Sequence, residues 1–353
     1  MASSITTKVG RAVTAAPFLA LAAFCWTKMD IPKLTAYQDQ ILKDNQGTIK
    51  WGNESLSVLE RFFGVQALDE TWRGPSVTFS PSSLGYDAIS WWQMISFLTD
   101  LGPVYIVWFL ESARVGNAWT PAYFATFFAF AAQLVGIGSA APVFYFLCLT
   151  FGPRVAELMS VSTDKLSTSK IQLQHKYISL LLPLVLVLHN FEVFAAYLSP
   201  DPAARHYWVW AWQMSPLWIG LVNSVLAQIL PTSMFAAGPR ALLAAACSIS
   251  AGVWISVLLN SPYSLPEIFL PSLQEQADLV AHTRQALQYD EICVFSASFL
   301  WLGYQFVDLY RAGRMDDLFK VVAVFPIVLV TAGPGVTLAV GWYLREQKLT
   351  GVR

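Results

Sequence analysis

Long, uninterrupted runs of apolar residues are what most constrains the fold of this 353-residue chain. A helical run of about 20 such residues spans the hydrocarbon core of a bilayer. The sequence contains eight such runs, and we predict that each is a transmembrane helix. They lie at residues 10–27, 88–110, 120–150, 177–198, 207–230, 240–259, 292–310 and 321–344. The predicted fold class is therefore all-α, a polytopic transmembrane bundle with one N-terminal helix and a seven-helix unit.

Composition excludes the other broad classes of protein. Hydrophobic residues make up 55% of the chain and charged residues 13%, about half of the ~25% charge that is usual in soluble proteins. So few charges cannot cover a soluble surface, and so many apolar residues exclude intrinsic disorder. The net charge of −1 provides no basic field for nucleic acid. We therefore expect an integral membrane protein of the endoplasmic reticulum, with the lipid bilayer but no nucleic acid as a partner.

The segment between the first two apolar runs has a different character. Residues 28–87 are mixed in charge and rich in Ser, Gly and Pro, which predicts an extramembrane cap. The predicted organisation is an N-terminal helix at 1–27, this cap, a seven-helix unit at 88–345 and a polar tail at 346–353. Residues 273–287 are amphipathic and predict a segment along the membrane interface. We find no internal repeat.

The charge distribution does not orient the predicted bundle. With eight spans, and with the long cap left out as the positive-inside rule advises, eight Lys and Arg residues fall on each side. Asn53-Glu54-Ser55 in the cap is a sequon for N-linked glycosylation. If the sequon is used, the cap lies in the lumen and both termini lie in the cytosol.

Motifs for several common chemistries are absent. There is no DDxxD, P-loop, GxSxG or HExxH, and no GxGxxG follows a strand. The chain is therefore not expected to ionise a diphosphate, hydrolyse a nucleotide or bind a dinucleotide, and we predict no cofactor. The four cysteines are far apart and form no CxxC, which predicts free thiols and no metal site. They are Cys25, Cys148, Cys247 and Cys293.

Ionisable residues inside apolar runs are candidates for function, because a charge in hydrocarbon is costly. The second run contains Asp100 and Glu111, eleven residues and therefore about three helical turns apart. Gln93 lies on the same helix face. Arg114 follows Glu111 by three residues, so an ordinary ion pair is the alternative there. The alternative for Asp100 is a structural hydrogen bond to another helix.

The fourth run contains a second polar cluster, formed by His189, Asn190 and Glu192. His189 and Glu192 are neighbours on one helix face because they are three residues apart. The cluster predicts either an acid that takes part in catalysis or a His–Glu pair that holds helices together.

The seventh run places Trp301, Tyr304 and Asp308 on one helix face. Arg311 follows Asp308 by three residues, so a salt bridge is again the alternative. Most of the aromatic residues are expected to form belts at the membrane interface. Trp92, Trp108 and Trp301 lie nearer the acids, and aromatic faces of this kind stabilise cations.

Three segments carry a resemblance to a known family. They are WWQ at 91–93, FLTDLGPVY at 97–105 with ESAR at 111–114, and the acid Asp308 near the end of the penultimate run. At these residues the chain resembles the fungal integral-membrane terpene cyclases of meroterpenoid biosynthesis. The resemblance covers about three quarters of the chain. The N-terminal helix and the long first loop are extra relative to the family's shorter members.

The resemblance implies a reaction that needs no metal or redox cofactor. A carboxylic acid would protonate the terminal epoxide or alkene of a farnesyl-type chain on a phenolic precursor, and the cation would cyclise against apolar and aromatic walls. Asp100 is our first candidate for the donor, with Glu111 or Glu192 as alternatives or partners. Asp308 would orient a donor or end the reaction. His189 is a further candidate catalytic residue beside these acids.

The substrate implied is a lipophilic prenylated small molecule, and no obligate protein partner is evident. Its candidate contacts are Gln93, Trp92, Tyr105, Trp108, Asn190, Trp301 and Tyr304. Two other hypotheses remain open. Isolated acids and His also serve as proton relays in proton-coupled transporters, and a receptor or structural protein would use its acids only to pair with Arg114 and Arg311.

Overall fold

The structure is a computed structural model that describes residues 2–159, 169–231 and 238–351. Within these ranges it is helical apart from one two-stranded antiparallel hairpin, so the all-α class is confirmed.

The cap contains α2 (Ile31–Asp39), a π-helical turn (Gln40–Asp44), β1 (Thr48–Trp51), β2 (Glu54–Ser57), α3 (Gln66–Thr78) and α4 (Ser80–Ser83). The bundle contains α1 (Ala2–Met29), α5 (Ala88–Ser112), α6 (Ala125–Val135), α7 (Ile137–Phe151), α8 (Val155–Leu158), α9 (His175–Ile178), α10 (Leu181–Val185), a π-helical segment (Leu186–Phe191), α11 (Glu192–Leu198), α12 (Pro202–Gln213), α13 (Ser215–Ile229), α14 (Pro239–Asn260), α15 (Leu265–Phe269), α16 (Leu279–Arg311), α17 (Leu318–Ala332) and α18 (Pro334–Thr350).

Five helical stretches of the described chain are long and apolar enough to cross a membrane. The predicted count of eight spans is not confirmed, because three of the predicted runs are each broken into two shorter helices. The breaks lie at Gly136, Met214 and Gly333. Gly136 and Gly333 have φ angles of 81° and 90°, a conformation that favours glycine and that a helix cannot pass through.

The third predicted span turns back inside the bundle. We call the end of the bundle that carries residues 30–87 the cap side, and the other end the opposite side. Ser112, the last residue of α5, donates a 2.8 Å hydrogen bond to the carbonyl of Tyr123, just before α6. Ala122, before α6, and Gly152, after α7, line one cavity. The α6–α7 hairpin therefore enters and leaves on the opposite side.

The last predicted span behaves in the same way. Gly335, at the start of α18, packs against Asp100 in the middle of α5. Ten residues later, Arg345 donates a 2.9 Å hydrogen bond to Glu111 near the end of α5. Helix α18 thus runs parallel to α5 toward the opposite side, which is also where α16 ends and α17 begins. The α17–α18 hairpin is a second re-entrant element.

A buried carboxylate caps each of these hairpins at its turn. Asp290 of α16 accepts a 2.7 Å hydrogen bond from the N–H of Gly138, at the start of α7. Asp100 of α5 accepts from the N–H of Gly335 and from the hydroxyl of Ser250. The first N–H groups of a helix have no partner within it, so a helix that begins inside the bundle needs such an acceptor.

The two hairpins belong to an internal repeat, which corrects our expectation of none. Glu111-x-x-Arg114-x-Gly at the end of α5 matches Asp308-x-x-Arg311-x-Gly at the end of α16. In each half the turn glycine, Gly136 or Gly333, follows the acid by 25 residues, and a second glycine comes two residues later. The halves exchange their hairpins, because α7 packs along α16 and α18 packs along α5.

The repeat extends to the helix that precedes each half. Met29 of α1 packs against the turn at Gly136, and Trp254 of α14 packs against the turn at Gly333. Six complete traverses of the bundle can then be followed in the described residues. They are α1, α5, the stretch from α9 to α11, the pair α12–α13, α14 and α16.

The cap is held to the bundle by polar contacts. Asp87 pairs with Arg284 of α16 at 2.8 Å, and the N–H of Leu59 lies 3.3 Å from the His206 ring. Within the cap, Asp69 accepts hydrogen bonds from the backbone N–H groups of Phe62 and Phe63. These bonds favour the charged carboxylate and lower the pKa of Asp69.

The chain also differs from the predicted bounds at two helix ends. Helix α16 begins at Leu279, so more than half of the segment predicted along the interface belongs to it. Helix α18 continues to Thr350 and buries Glu346 within the predicted polar tail.

Helices α18 and α5 pack so closely that adding one methyl group, by a glycine-to-alanine substitution, tests the contact. An ideal Cβ on Gly335 would lie 2.6 Å from Asp100 Oδ1, whereas nothing lies within 4 Å of one on Gly303 of α16. We expect Gly335→Ala to destabilise the protein by about 1–3 kcal/mol through overpacking. Gly303→Ala should leave stability unchanged or raise it. Thermal unfolding in detergent measures both, and equal unfolding temperatures would contradict the close packing.

Candidate functional site

A cavity of about 130 Å³ lies between the cap and the bundle, beside the turn at Gly136. Its walls come from α2 and α3 of the cap and from α5, α6, α12 and α16 of the bundle. We call it the cap cavity. Its lining is mainly apolar and aromatic and includes Phe79, Met94, Phe97, Leu101, Tyr105 and Trp212.

Asp290 is the only charged residue among the described residues that line the cap cavity. It is 6% exposed, and the start of α7 holds its carboxyl group through the N–H groups of Gly138 and Ile137. No ion pair of Asp290 occurs in the described part of the chain. The cavity therefore presents one oriented carboxyl group to an apolar space.

His189 supports the cavity wall rather than facing the cavity. Its Nε2 lies 2.8 Å from the carbonyl of Leu98, and its Nδ1 accepts a 3.2 Å hydrogen bond from the indole of Trp212. These partners place the ring proton on Nε2. The ring of Tyr105 meets His189 edge-on at 5.2 Å. His189 therefore positions two wall residues, and Tyr105 is the one predicted substrate contact that lines this cavity.

Two adjacent acids on α16 are not among the site residues predicted from the sequence. Asp290 and Glu291 lie just before the run predicted at 292–310 and outside every predicted span. Glu291 is buried and accepts a 2.7 Å hydrogen bond from Gln93 of α5. A signal was present, because Asp278 is an N-cap residue and no Gly or Pro interrupts the next 24 residues.

Asp100, our first candidate for the donor, does not line the cap cavity. It is fully buried, and its hydrogen bonds to Ser250 and Gly335 hold α5, α14 and α18 together. The structure thus shows the contacts of the structural alternative. Asn190 and Glu192 are also buried beside α5, and each has a carboxyl or amide oxygen without a partner among the described residues.

Glu111 lies in a network of ion pairs on the opposite side. It pairs with Arg114 and Arg345, both at 2.9 Å, and Trp342 donates to it at 2.8 Å. Glu346 completes the network by pairing with Arg114 at 2.6 Å. Glu111 lines a second cavity, of about 30 Å³, together with two predicted aromatic contacts, Trp108 and Trp301.

The remaining predicted residues lie elsewhere. Asp308 accepts a 2.7 Å hydrogen bond from the N–H of Val155, and it shares an open groove with Tyr304. Trp92 packs against Trp91 near the start of α5 on the cap side, with ring centroids 4.8 Å apart. The residues that we predicted as one site thus fall in several places, and only Tyr105 lines the cap cavity.

The described residues contain no cluster of side chains that could bind a metal ion. No group of three or more His, Cys, Asp or Glu side chains could hold a metal ion there. The four cysteines are free thiols.

Residues 38–350 match the CtvD domain. The chain belongs to the CtvD domain family. This family and its fungal relatives belong to the terpene cyclase-like proteins of meroterpenoid pathways, so the resemblance found in the sequence is confirmed. The match begins at residue 38, so most of the cap is part of the family's domain.

The curated relatives are longer proteins. FAD-dependent monooxygenase verC1 of Penicillium polonicum is 28% identical, and the alignment covers 98% of this chain and 43% of that protein. FAD-dependent monooxygenase anuJ of Penicillium roqueforti is 25% identical, over 83% of this chain and 36% of that protein. The chain thus spans about two fifths of their length. No solved structure matches. Because these relatives are enzymes, a transporter is not favoured.

The turn at Gly136-Ile-Gly138 does not fit the diphosphate of the flavin cofactor in the relatives' names. Gly136-Ile-Gly138 opens α7 with a spacing that occurs in dinucleotide sites, but it follows a helix rather than a strand. A dinucleotide diphosphate would need the N–H groups at the start of this helix. The Asp290 carboxyl group already accepts from them, so they are not free to bind the diphosphate.

The ion-pair network predicts a structural role for Glu111. Glu111→Gln leaves two buried guanidinium groups with only one carboxylate, and breaking a buried pair costs about 3–5 kcal/mol. We expect a large drop in thermal stability, whereas Glu70→Gln on the exposed face of α3 should have little effect. If Glu111→Gln kept its stability and lost only activity, the structural role would be wrong.

Proposed function

We propose that this chain is a membrane-embedded, acid-initiated terpene cyclase. Asp290 would protonate the terminal epoxide or alkene of a prenyl chain that lies in the cap cavity. The observation that carries the proposal is the placement of one carboxyl group in an otherwise uncharged, apolar and aromatic lining. The family membership supports the class of reaction, and the geometry favours this acid over the others.

The proposed steps conserve the atoms of the substrate. The proton of the Asp290 carboxyl moves to the epoxide oxygen, and the C–O bond breaks as an internal alkene forms a new C–C bond. Further ring closures pass the positive charge along the chain. Loss of a proton, or capture by a hydroxyl of the substrate, ends the cation, and the carboxylate regains a proton. The product is an isomer of the substrate.

The lining of the cap cavity suits such a cation. The faces of Tyr105, Phe97 and Trp212 can stabilise positive charge through their quadrupoles. The cap closes over the cavity with α2 and α3, which keeps bulk water from capturing the cation. Hydrogen bonds to His189 and Gln133 hold Trp212 and Tyr105 in place.

A lipophilic substrate has a route into this cavity. Leu134, near the end of α6, lines the cavity and is also 49% exposed on the outside of the bundle. Val135 and Ile31, from α6 and the cap, lie beside it in the lining and are half-buried. The cavity therefore opens laterally between the cap and α6, where a prenyl chain could enter from the bilayer.

A matched pair of variants tests the proposal. Asp290 and Asp100 both cap a re-entrant helix from inside the bundle, but only Asp290 lines the cap cavity. Asparagine keeps an oxygen that accepts the N–H bond and removes the acidic proton. We expect Asp290→Asn to lower turnover by at least about 100-fold, as the loss of a general acid does. Asp100→Asn should keep activity per folded protein.

The assay uses microsomes from a host that expresses the full chain. Farnesylated phenols, with and without a terminal epoxide, are added, and chromatography with mass spectrometry detects a product of unchanged mass and altered retention. Monodisperse elution in detergent gives the folded amount of each variant. Loss of the product only in Asp100→Asn would move the donor to Asp100. No product from any substrate with folded wild-type protein would overturn the cyclase.

A further inference from the structure

The two re-entrant hairpins change the distribution of positive charge between the two sides of the bundle. Because neither hairpin crosses, the loops after α7 and α16 lie on the same side as the start of α1. In the described residues this opposite side carries twelve Lys and Arg residues. They are Lys8, Arg11, Arg114, Arg154, Lys170, Lys176, Arg240, Arg311, Arg314, Lys320, Arg345 and Lys348.

The cap side carries far fewer basic residues in its short loops. Outside residues 28–87 only Arg205 and Arg284 lie there among the described residues. With eight spans the Lys and Arg residues divide equally between the two sides, whereas the observed path of the chain places twelve on the opposite side and two on the cap side. Short loops rich in Lys and Arg stay in the cytosol during membrane insertion. The charge distribution therefore places the opposite side in the cytosol and the cap in the lumen.

The single Asn-x-Ser/Thr sequence of the chain lies at an accessible point of this cap. Asn53 occupies the tip of the β1–β2 hairpin, in the turn between Trp51 and Glu54. Asn53, Glu54 and Ser55 are all exposed. Gly52, with φ of 54°, provides the left-handed conformation that this tight turn needs.

The hairpin can carry a large group at its tip without losing its packing. Its buried side is anchored by Ile49, which is fully buried and lies opposite Leu56 in the strand register. This side packs on Tyr37 and Ile41 in a small core of the cap. The sequon residues Asn53 and Ser55 take no part in that core.

We infer that Asn53 is a site of N-linked glycosylation and that the cap faces the lumen of the endoplasmic reticulum. The donor is an oligosaccharide on a polyisoprenyl diphosphate. The Asn53 side-chain nitrogen forms the new bond to the first sugar carbon and loses a proton. The bond from that carbon to the diphosphate breaks, and the polyisoprenyl diphosphate leaves.

The orientation has a consequence for the cap cavity. The cavity lies under the cap, so it belongs to the lumenal half of the protein. The ion-pair network around Glu111 belongs to the cytosolic half.

The test compares two sequons on opposite sides of the bundle. The full chain is expressed in a fungal host, and its mobility on denaturing gels is measured before and after digestion with an N-glycosidase. We expect one downward shift for the wild type and none for Asn53→Gln or Ser55→Ala. In sealed microsomes the glycan should resist the enzyme until detergent is added.

The matched control creates a sequon where the loop after α16 meets the start of α17, with its asparagine at the exposed position 316. The double variant Asp316→Asn with Leu318→Thr, made in the Asn53→Gln background, should stay unglycosylated because this loop is cytosolic. Glycosylation there, without glycosylation at Asn53 in the wild type, would reverse the orientation. Absence of a glycan at both positions in protein that elutes as a single species would also overturn the inference.

Discussion

The structure depends on two carboxylates that cap helices inside the bundle. A helix that begins among apolar side chains exposes N–H groups that neither water nor its own turns can satisfy. Asp290 satisfies those of α7 and Asp100 those of α18. Only with such caps can the two apolar hairpins stop part-way and turn back. The remaining volume on the cap side is then left to the cap and to the cavity beneath it.

The two halves of the repeat use the same device to different ends. In the second half, Trp254 packs on the turn at Gly333 and stacks on Phe269 with ring centroids 5.0 Å apart. These rings fill the space beside the turn. In the first half, the corresponding residue at the Gly136 turn is Met29, which lines the cap cavity. The helix-capping acid of the second half, Asp100, is therefore enclosed, whereas the helix-capping acid of the first half, Asp290, lines the cap cavity and is accessible to a substrate there.

The sequence predicted the class of fold but not the path of the chain. Apolar runs identify segments that prefer lipid or core, and a re-entrant hairpin has the same length and composition as a span. What decides its path is a distant acceptor, such as Asp290 for Gly138, and spacing within the run cannot show it. The site shifted for a related reason. The helix that carries Asp290 starts with a polar segment, since the cap covers it, so hydropathy leaves this acid outside the predicted spans.

The cap geometry also suits the chemistry that we propose for Asp290. The N–H groups of Gly138 and Ile137 hold the carboxyl group at the start of α7, and the same group lines the cavity. As that proton moves to the substrate, negative charge develops on a group already aligned with the positive end of α7. The positive charge grows at the same time on a chain that lies against aromatic faces. Both charges thus meet fixed partners, and neither needs water in the cavity.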